Sequence, residues 1–563
     1  MSSESSTSAT PLATAIPVTE RYRRACRTLR VPLAPERLLG ASYSLAAVSW
    51  LCGLAILGFV SGPVGTVGGA GCLVGAVGVA LLGRYGAPLA ARLRRIRALG
   101  AGPALVATLA LGMRLWPTTE RAGAFAVRAG DGRLVERLAA HRRRARGTPR
   151  DGHGTFVDEW GDRFPALERA FESVERAALA PARERDAVLR RARRQILDGT
   201  RDEMAQFAAA LRAPATGLYA FGVLLPLAMV SLLPAVTAAG VPVTTPMLVV
   251  LYGLVLPAGL IVASAWLLGR RPVAFPSATV PRNHPDVPSG PERALASGGL
   301  VAVGGWTIAA VVAPGWAPAV AALGGGTGTA LVVYYRPVSA VRDHVSAVES
   351  GLPDLLDAVG RRVDRGESVE AALEEAVGVT ADPLSTLLAA TLDRQRRLDT
   401  DIETAFRGEY GTLSTVPSPR LERTATLLAA AADIGPPAGE TLAAMGDHLA
   451  ELDAVERETR RDLAQITGTL SNTGALFGPL IGGATVALSA TMGTGGPIES
   501  PPSAALGPLV GWYCLVLAVV LTTLSTGLEQ GLDRARVGYR VGLALCAATA
   551  TYLTAAVATG LVL

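Results

Sequence analysis

The sequence predicts an all-α fold: a polytopic helical membrane protein with two cytoplasmic helical-bundle domains related by internal duplication. Three observations lead there. The 563 residues are 50% hydrophobic and only 18% charged, with mean hydropathy +0.35, too apolar for a soluble chain of this length. The apolar stretches are dominated by Ala and Leu, and aromatics make up only 5% of the chain, which points to helices rather than a barrel. A charged helical segment runs straight into an apolar stretch twice. Pro103 and Leu105 match Pro353 and Leu355. Leu167-Glu168-Arg169 match Leu421-Glu422-Arg423, and Phe221-Gly222 match Phe477-Gly478. The offset stays between 250 and 256 residues, as a duplication requires.

Residues 1–40 form an N-terminal tail. MSSESSTSATPLATAIP is polar and expected to be disordered. RYRRACRTLRVPLAPERL follows, a basic stretch suited to an interfacial helix on anionic lipid. It has neither the cleavage site of a secretory signal nor the immediate apolar run of a twin-arginine signal. Residues 41–83 form a transmembrane hairpin with spans 41–61 and 64–83. Gly65/Gly69 and Gly71/Gly75 in the second span have the spacing of close helix packing.

Residues 84–213 form the first soluble block, with apolar residues such as Leu167, Phe171 and Val174 recurring at helical spacing. The loop GTPRDGHG interrupts it. HGTFVDEWGDRFPALERAFESVERAAL and PARERDAVLRRARRQILDGTRDEMAQFAAALRA follow as long amphipathic stretches. A second hairpin occupies 214–269, with spans 217–239 and 246–269. Residues 270–293 are a Pro-rich connector, and 294–335 a third hairpin with spans 294–313 and 317–335. The second soluble block covers 336–471, with a break expected at DIGPPAG. Residues 472–563 supply three spans at 472–492, 506–527 and 541–563.

Arg placement sets the expected topology. The tail, both blocks, the connector and the return DRARVGYR carry Arg, whereas the links after the first, third, fifth and seventh spans carry none. The positive-inside rule then places the N terminus and both blocks in the cytoplasm and the C terminus outside. The blocks differ in charge. Residues 84–212 hold 26 Arg against 15 acidic residues, while 336–471 hold 14 against 24. Either each offers a different face to a partner, or the two face each other; the plainer alternative is a pair of solvated bundles.

Composition excludes several chemistries. All 53 basic residues are Arg, so there is no P-loop lysine and no Schiff-base lysine. The five Cys make no CxxC pair and the five His make no HExxH, so neither a zinc site nor a disulfide framework is expected. No Asp, Glu, Arg or His falls inside a span, which argues against a proton or sodium relay. The arginine clusters Arg142-Arg143-Arg144, Arg190-Arg191 and Arg193-Arg194 lack interleaved aromatics, so no nucleic-acid partner is expected; membrane lipid or an acidic protein surface suits them better.

LPDLLDAVGRRVDRGESVEAALEEA, with Gly366 before a new helix start, resembles the opening helix-turn-helix of the type II secretion system F family. LERTATLLAAAADIGPPAGETLAAMGDHLAEL resembles its second helical pair, and DAVERETRRDLAQ its exit into the membrane. The first copy departs from the pattern, with Trp116-Pro117 where Gly366-Glu367 stands in the second. The number of spans and the Pro-rich linker resemble the archaeal members, which serve adhesion pili or the archaellum. The resemblance implies a non-enzymatic platform with no cofactor. A secretion-type hexameric ATPase would contact its cytoplasmic domains, and pilin subunits would pass through its spans into a filament. A second copy of the chain is a further candidate partner. On that implication the ATPase-contact candidates are Arg142, Arg143 and Arg144 in the first block and Asp364, Arg365 and Glu367 in the second; the plainer alternative for each is a solvated helix end. A transporter or permease is the competing class, opposed by the uncharged spans, and a membrane receptor or scaffold is another.

Overall fold

A backbone in lipid must satisfy its own polar groups, and the chain does so with helices throughout. The computed structural model describes residues 18–29, 32–59, 63–130, 132–147, 152–161, 164–239, 243–272, 280–281, 284–288, 290–408, 411–435, 438–492 and 503–562. The polar opening 1–17, ten of the 24 residues of the Pro-rich connector and residues 493–502 are among those outside them. Among the described residues every regular element is a helix, and nine helices are long and apolar enough to cross a membrane.

α1 (Glu20–Leu29) precedes α2 (Pro35–Phe59) and α3 (Pro63–Leu99). The apolar side of α1 is not left for lipid: Tyr22 and Cys26 are buried with Leu39 of α2. α2 and α3 pack as the expected hairpin. A Cβ on Gly69 would meet the Gly53 carbonyl at 2.9 Å, so this glycine is what lets them approach, whereas Gly71 faces open space.

α3 runs past the expected membrane end, through an internal Pro88, to the first block. Six helices follow: α4 (Gly102–Leu115), α5 (Thr119–Ala129), α6 (Arg133–Ala145), α7 (Gly152–Trp160), α8 (Pro165–Leu179) and α9 (Ala182–Tyr219). α4 is apolar enough to be taken for a span, but it is the core of this block, buried along nearly its whole length. The stretch from His153 to Leu179 is two helices because Pro165, at the first turn of α8, has no N–H to continue α7. α9 enters the membrane without a break in direction: a π-turn at Ala220–Leu224 joins it to α10 (Leu225–Ala238). The fourth span is α11 (Thr245–Val250), a π-turn at Leu251–Val255, and α12 (Leu256–Leu268).

The second half follows the same order. α13 (Glu292–Val312) and α14 (Ala317–Val320) lead through a π-turn to α15 (Gly326–Ser350), which leaves the membrane through an internal Pro337. Six helices form the second block: α16 (Leu352–Asp364), α17 (Val369–Val377), α18 (Leu384–Leu398), α19 (Ile402–Arg407), α20 (Pro419–Ile434) and α21 (Gly439–Asn472). The break at DIGPPAG is where α20 ends on Gly435, at φ +81°, a left-handed value that suits glycine. α21 continues through a π-turn at Thr473–Phe477 into α22 (Gly478–Met492), and α23 (Ser503–Gln530) and α24 (Arg534–Val562) complete the chain.

α23 is the central span. Val510, Tyr513, Leu517, Leu521, Leu524 and Leu528 are each fully buried, one face of the helix held from end to end. α2 and α13 lie at the periphery and expose their Leu, Val and Trp side chains, as lipid-facing helices do. Apolar burial drives little association in lipid, so close approach at small residues matters more. At Gly328 of α15 an added Cβ would lie 2.7 Å from Cys546 Sγ and 2.9 Å from the Gly542 carbonyl of α24. Gly328→Val is therefore expected to force these helices apart at a cost of about 1–3 kcal/mol. Thermal unfolding in detergent checks this; an unchanged midpoint would contradict it.

Candidate functional site

The six residues singled out by sequence lie in two patches on different helix pairs. Arg142, Arg143 and Arg144 end α6, which packs on α7. Arg142 turns inward and donates to the Glu120 carbonyl. Burial, then the neighbouring Arg146, pushes its pKa down. Arg143 and Arg144 are exposed. Immediately before them, His141 bonds Thr155 at 3.1 Å and Glu159 at 2.8 Å, and Arg137, a turn earlier, also bonds Glu159. Burial raises Glu159, but Arg137 and His141 outweigh it and hold the carboxyl below its usual range. The pins to α7 fix the end of α6, so the two free guanidinium groups project from a rigid helix.

Asp364, Arg365 and Glu367 form the turn between α16 and α17. Gly366 takes φ +95°; its N–H reaches the Val363 carbonyl at 3.0 Å, and the Glu367 N–H reaches the Arg362 carbonyl at 3.2 Å. This is a Schellman motif, and it needs a residue tolerant of the left-handed region. Ser368 then caps α17 by accepting from the Ala371 N–H. Glu367 is engaged by Arg362 at 3.2 Å and Arg365 at 3.5 Å, while Asp364 and Arg365 remain exposed. In the first block the equivalent turn has no glycine. Trp116 is extended at φ −134° and Thr118 caps α5.

The sequence left open whether the two blocks touch, and in the structure they do. Arg193 of α9 donates to the Ala444 carbonyl of α21 at 2.7 Å, and Arg201 lies 3.4 Å from Glu458. Arg114 pairs with Asp186 at 3.0 Å and reaches the Glu440 carbonyl at 3.4 Å. In each cross-contact an arginine of the basic block meets an acceptor on α21 of the acidic one, a main-chain carbonyl in two cases and the Glu458 carboxylate in the third. Beside this seam lies a cavity of about 50 Å³ lined by Gly100, Glu349, Arg420, Arg423, Met445 and His448, among others. Arg420 binds Asp453 at 2.6 Å and Glu456 at 3.2 Å, with Glu349 at 3.7 Å. Ser418, the cap of α20, donates to Glu349 at 2.5 Å. Burial raises the Glu349 pKa, partly offset by Arg420. His448 is fully buried, and neither ring nitrogen has a hydrogen-bond partner. Burial, with Arg193, Arg423 and Arg420 nearby, pushes its pKa down to about 3. A cavity of this size and polarity holds water, which would satisfy the ring.

The spans have a distinct basic end. The return between α23 and α24 is gripped by arginines from three other places and by one on α24 itself. Arg271 donates to the Gly527 carbonyl at 2.8 Å, and Arg97 to the Leu532 carbonyl. Arg342 pairs with Asp533, and Arg540 bonds Glu529 at 2.7 Å. At the other end Trp316 packs on Tyr552, ring centres 5.5 Å apart, and against Gly507. The connector is also seated: buried His284 lies 3.1 Å from the Thr415 carbonyl of the second block. Among the described residues no group of three or more His, Cys, Asp or Glu is placed to hold a metal.

The chain matches no family model, no curated protein and no solved structure. What the arrangement offers is mechanical: two blocks joined by arginine contacts to α21, and long helices that carry them into the membrane.

The His448 environment makes a pH prediction. Its folded pKa lies below the ordinary 6.5, so its stabilising effect is complete above that value and is lost as pH falls towards about 3. His448→Phe should flatten the acid limb of the stability profile, where each pH unit is worth about 1.4 kcal/mol. Unfolding midpoints across pH 4–7 check it, and an unchanged slope would count against the assignment.

Proposed function

We propose that the chain is the membrane platform of a type IV pilus-like assembly machine, coupling a cytoplasmic hexameric ATPase to insertion of pilins into a filament. The observation that carries this reading is the repeated plan. Each half has a span that emerges as a long helix with an internal proline, Pro88 or Pro337. Each then has six helices whose first begins with Pro103 or Pro353. Each ends in a long helix, α9 or α21, that re-enters the membrane through a π-turn. An internal duplication accounts for all three features, and continuous rods between a soluble block and a span suit a part that transmits motion.

The platform needs no active site of its own; its work is to move when pushed. The exposed Arg143 and Arg144, and the turn of Asp364, Arg365 and Glu367, are surfaces for the ATPase, on helices anchored firmly enough to transmit force. Both blocks lie in the cytoplasm and the C terminus outside. This orientation is supported by the convergence of Arg97, Arg271, Arg342 and Arg540 at one end of the spans, the end from which the blocks project. The reading covers an adhesion pilus and an archaellum alike.

A pull-down from gently solubilised membranes should recover a secretion-type ATPase, and deletion of the gene should abolish surface filaments. Normal filaments and no ATPase would sink the reading. Reversing Arg143 and Arg144 to Glu should weaken ATPase recovery at least several-fold while the chain still folds. For topology, a cysteine at position 144 or 397 should resist an impermeant thiol reagent in intact cells; labelling from outside would overturn the orientation.

A further inference from the structure

The two helices that carry the soluble blocks into the membrane break step at the same place. α9 passes into α10 at Ala220–Leu224, and α21 into α22 at Thr473–Phe477. A π-turn interrupts the ordinary ladder and marks a point where a helix can bend. A proline follows each turn at once, Pro226 and Pro479. Proline has no N–H, so the carbonyls four residues earlier, Gly222 and Ala475, lose their α-helical donor. In lipid no water is at hand to replace it.

For Gly222 the structure supplies another donor. The Tyr513 hydroxyl of α23 donates to the Gly222 carbonyl oxygen. The Tyr513 ring stands edge-on to Tyr252 at 5.8 Å, and the Tyr252 hydroxyl donates to the Pro226 carbonyl at 2.5 Å. The first break is thus held by two hydroxyls. The second is held by shape and by the Cys514 thiol, which donates to the Gly478 carbonyl at 3.9 Å. A Cβ on Gly474 would meet the Leu517 carbonyl at 3.1 Å and Ala518 at 3.5 Å, so α21 lies directly against α23. The breaks also touch one another, since a Cβ on Gly478 would lie 3.8 Å from Val223. Both therefore rest on the 513–518 stretch of α23, the most deeply buried span.

We propose that this junction is a paired hinge, with α23 as its fixed post and the Tyr513 hydroxyl as the catch on the first arm. While the catch holds, block and span move as one rod. When it releases, the first block swings relative to α10, and the π-turn absorbs the bend. The second arm has only a weak polar contact, from the Cys514 thiol, and relies mainly on glycine contact. The inference concerns how motion passes from block to span, and it stands or falls whichever cargo the chain serves.

Spin labels on unnatural residues at 206 and 232 test it in the full-length chain, leaving the native cysteines in place. These exposed positions flank the first break, and 26 residues of helix separate them by about 39 Å. A second pair at 465 and 488 flanks the other break at about 35 Å. The native chain should give one narrow distance distribution for each pair. Tyr513→Phe should broaden the first towards shorter distances and leave the second unchanged. Adding Pro226→Ala restores an N–H for Gly222 and should narrow the first again. No broadening, equal broadening of both pairs, or no rescue would each overturn the proposal. Pro226→Ala alone guards against misfolding of the Tyr513 variant: it should be at least as narrow as the native chain, and a broader distribution would likewise overturn it.

Discussion

A peptide group inside lipid has no water to bond, and this constraint governs the whole molecule. It dictates helices, and it also decides what happens where a helix is broken. Pro226, Pro257 and Pro479 each remove a donor in mid-span, and each follows a π-turn. A soluble protein could leave such carbonyls to solvent. Here α23 supplies donors of its own: the Tyr513 hydroxyl donates to the Gly222 carbonyl, and beside the second break the Cys514 thiol donates to that of Gly478.

The same constraint explains why charge collects where it does. The spans carry none, so the charged contacts are confined to the blocks and to the basic end of the bundle. There they are dense: the α23–α24 return is held by Arg97, Arg271, Arg342 and Arg540, drawn from segments hundreds of residues apart. Exposed ion pairs add little, but Arg342 with Asp533 and Arg420 with its three carboxylates are largely buried. Their value lies in fixing geometry: removing one partner would leave a buried charge alone. Through them the spans, the second block and, by way of α21, the first block become one connected body.

That connectedness gives the hinge its meaning. Rods joined rigidly at both ends cannot work against each other. Two rods that bend at adjoining points beside a fixed post can. The seam between the blocks, with Arg193 on Ala444 and Arg201 beside Glu458, lies on the soluble side of these bends. A push on either block is therefore shared before it reaches the membrane.

Residue pattern alone determined the helical class and the presence of membrane-length apolar helices, because both depend on local composition: the length of each apolar run and the residues that fill it. Gly366 and the DIGPPAG break were readable for the same reason, since a left-handed turn needs a particular residue. The candidate patch at 142–144 was only partly readable. Three consecutive arginines look alike in sequence, but helical geometry turns Arg142 inward and leaves Arg143 and Arg144 outward. α4 carries the opposite lesson, for its apolar run marks a domain core as well as it would a span. Only the tertiary structure brought Glu349, Arg420 and His448 to one cavity, set arginines of the first block against α21, and placed Tyr513 against Gly222. These depend on which helix faces lie together, and that is fixed by packing among residues far apart in the chain, 291 positions for Tyr513 and Gly222, which no local pattern encodes.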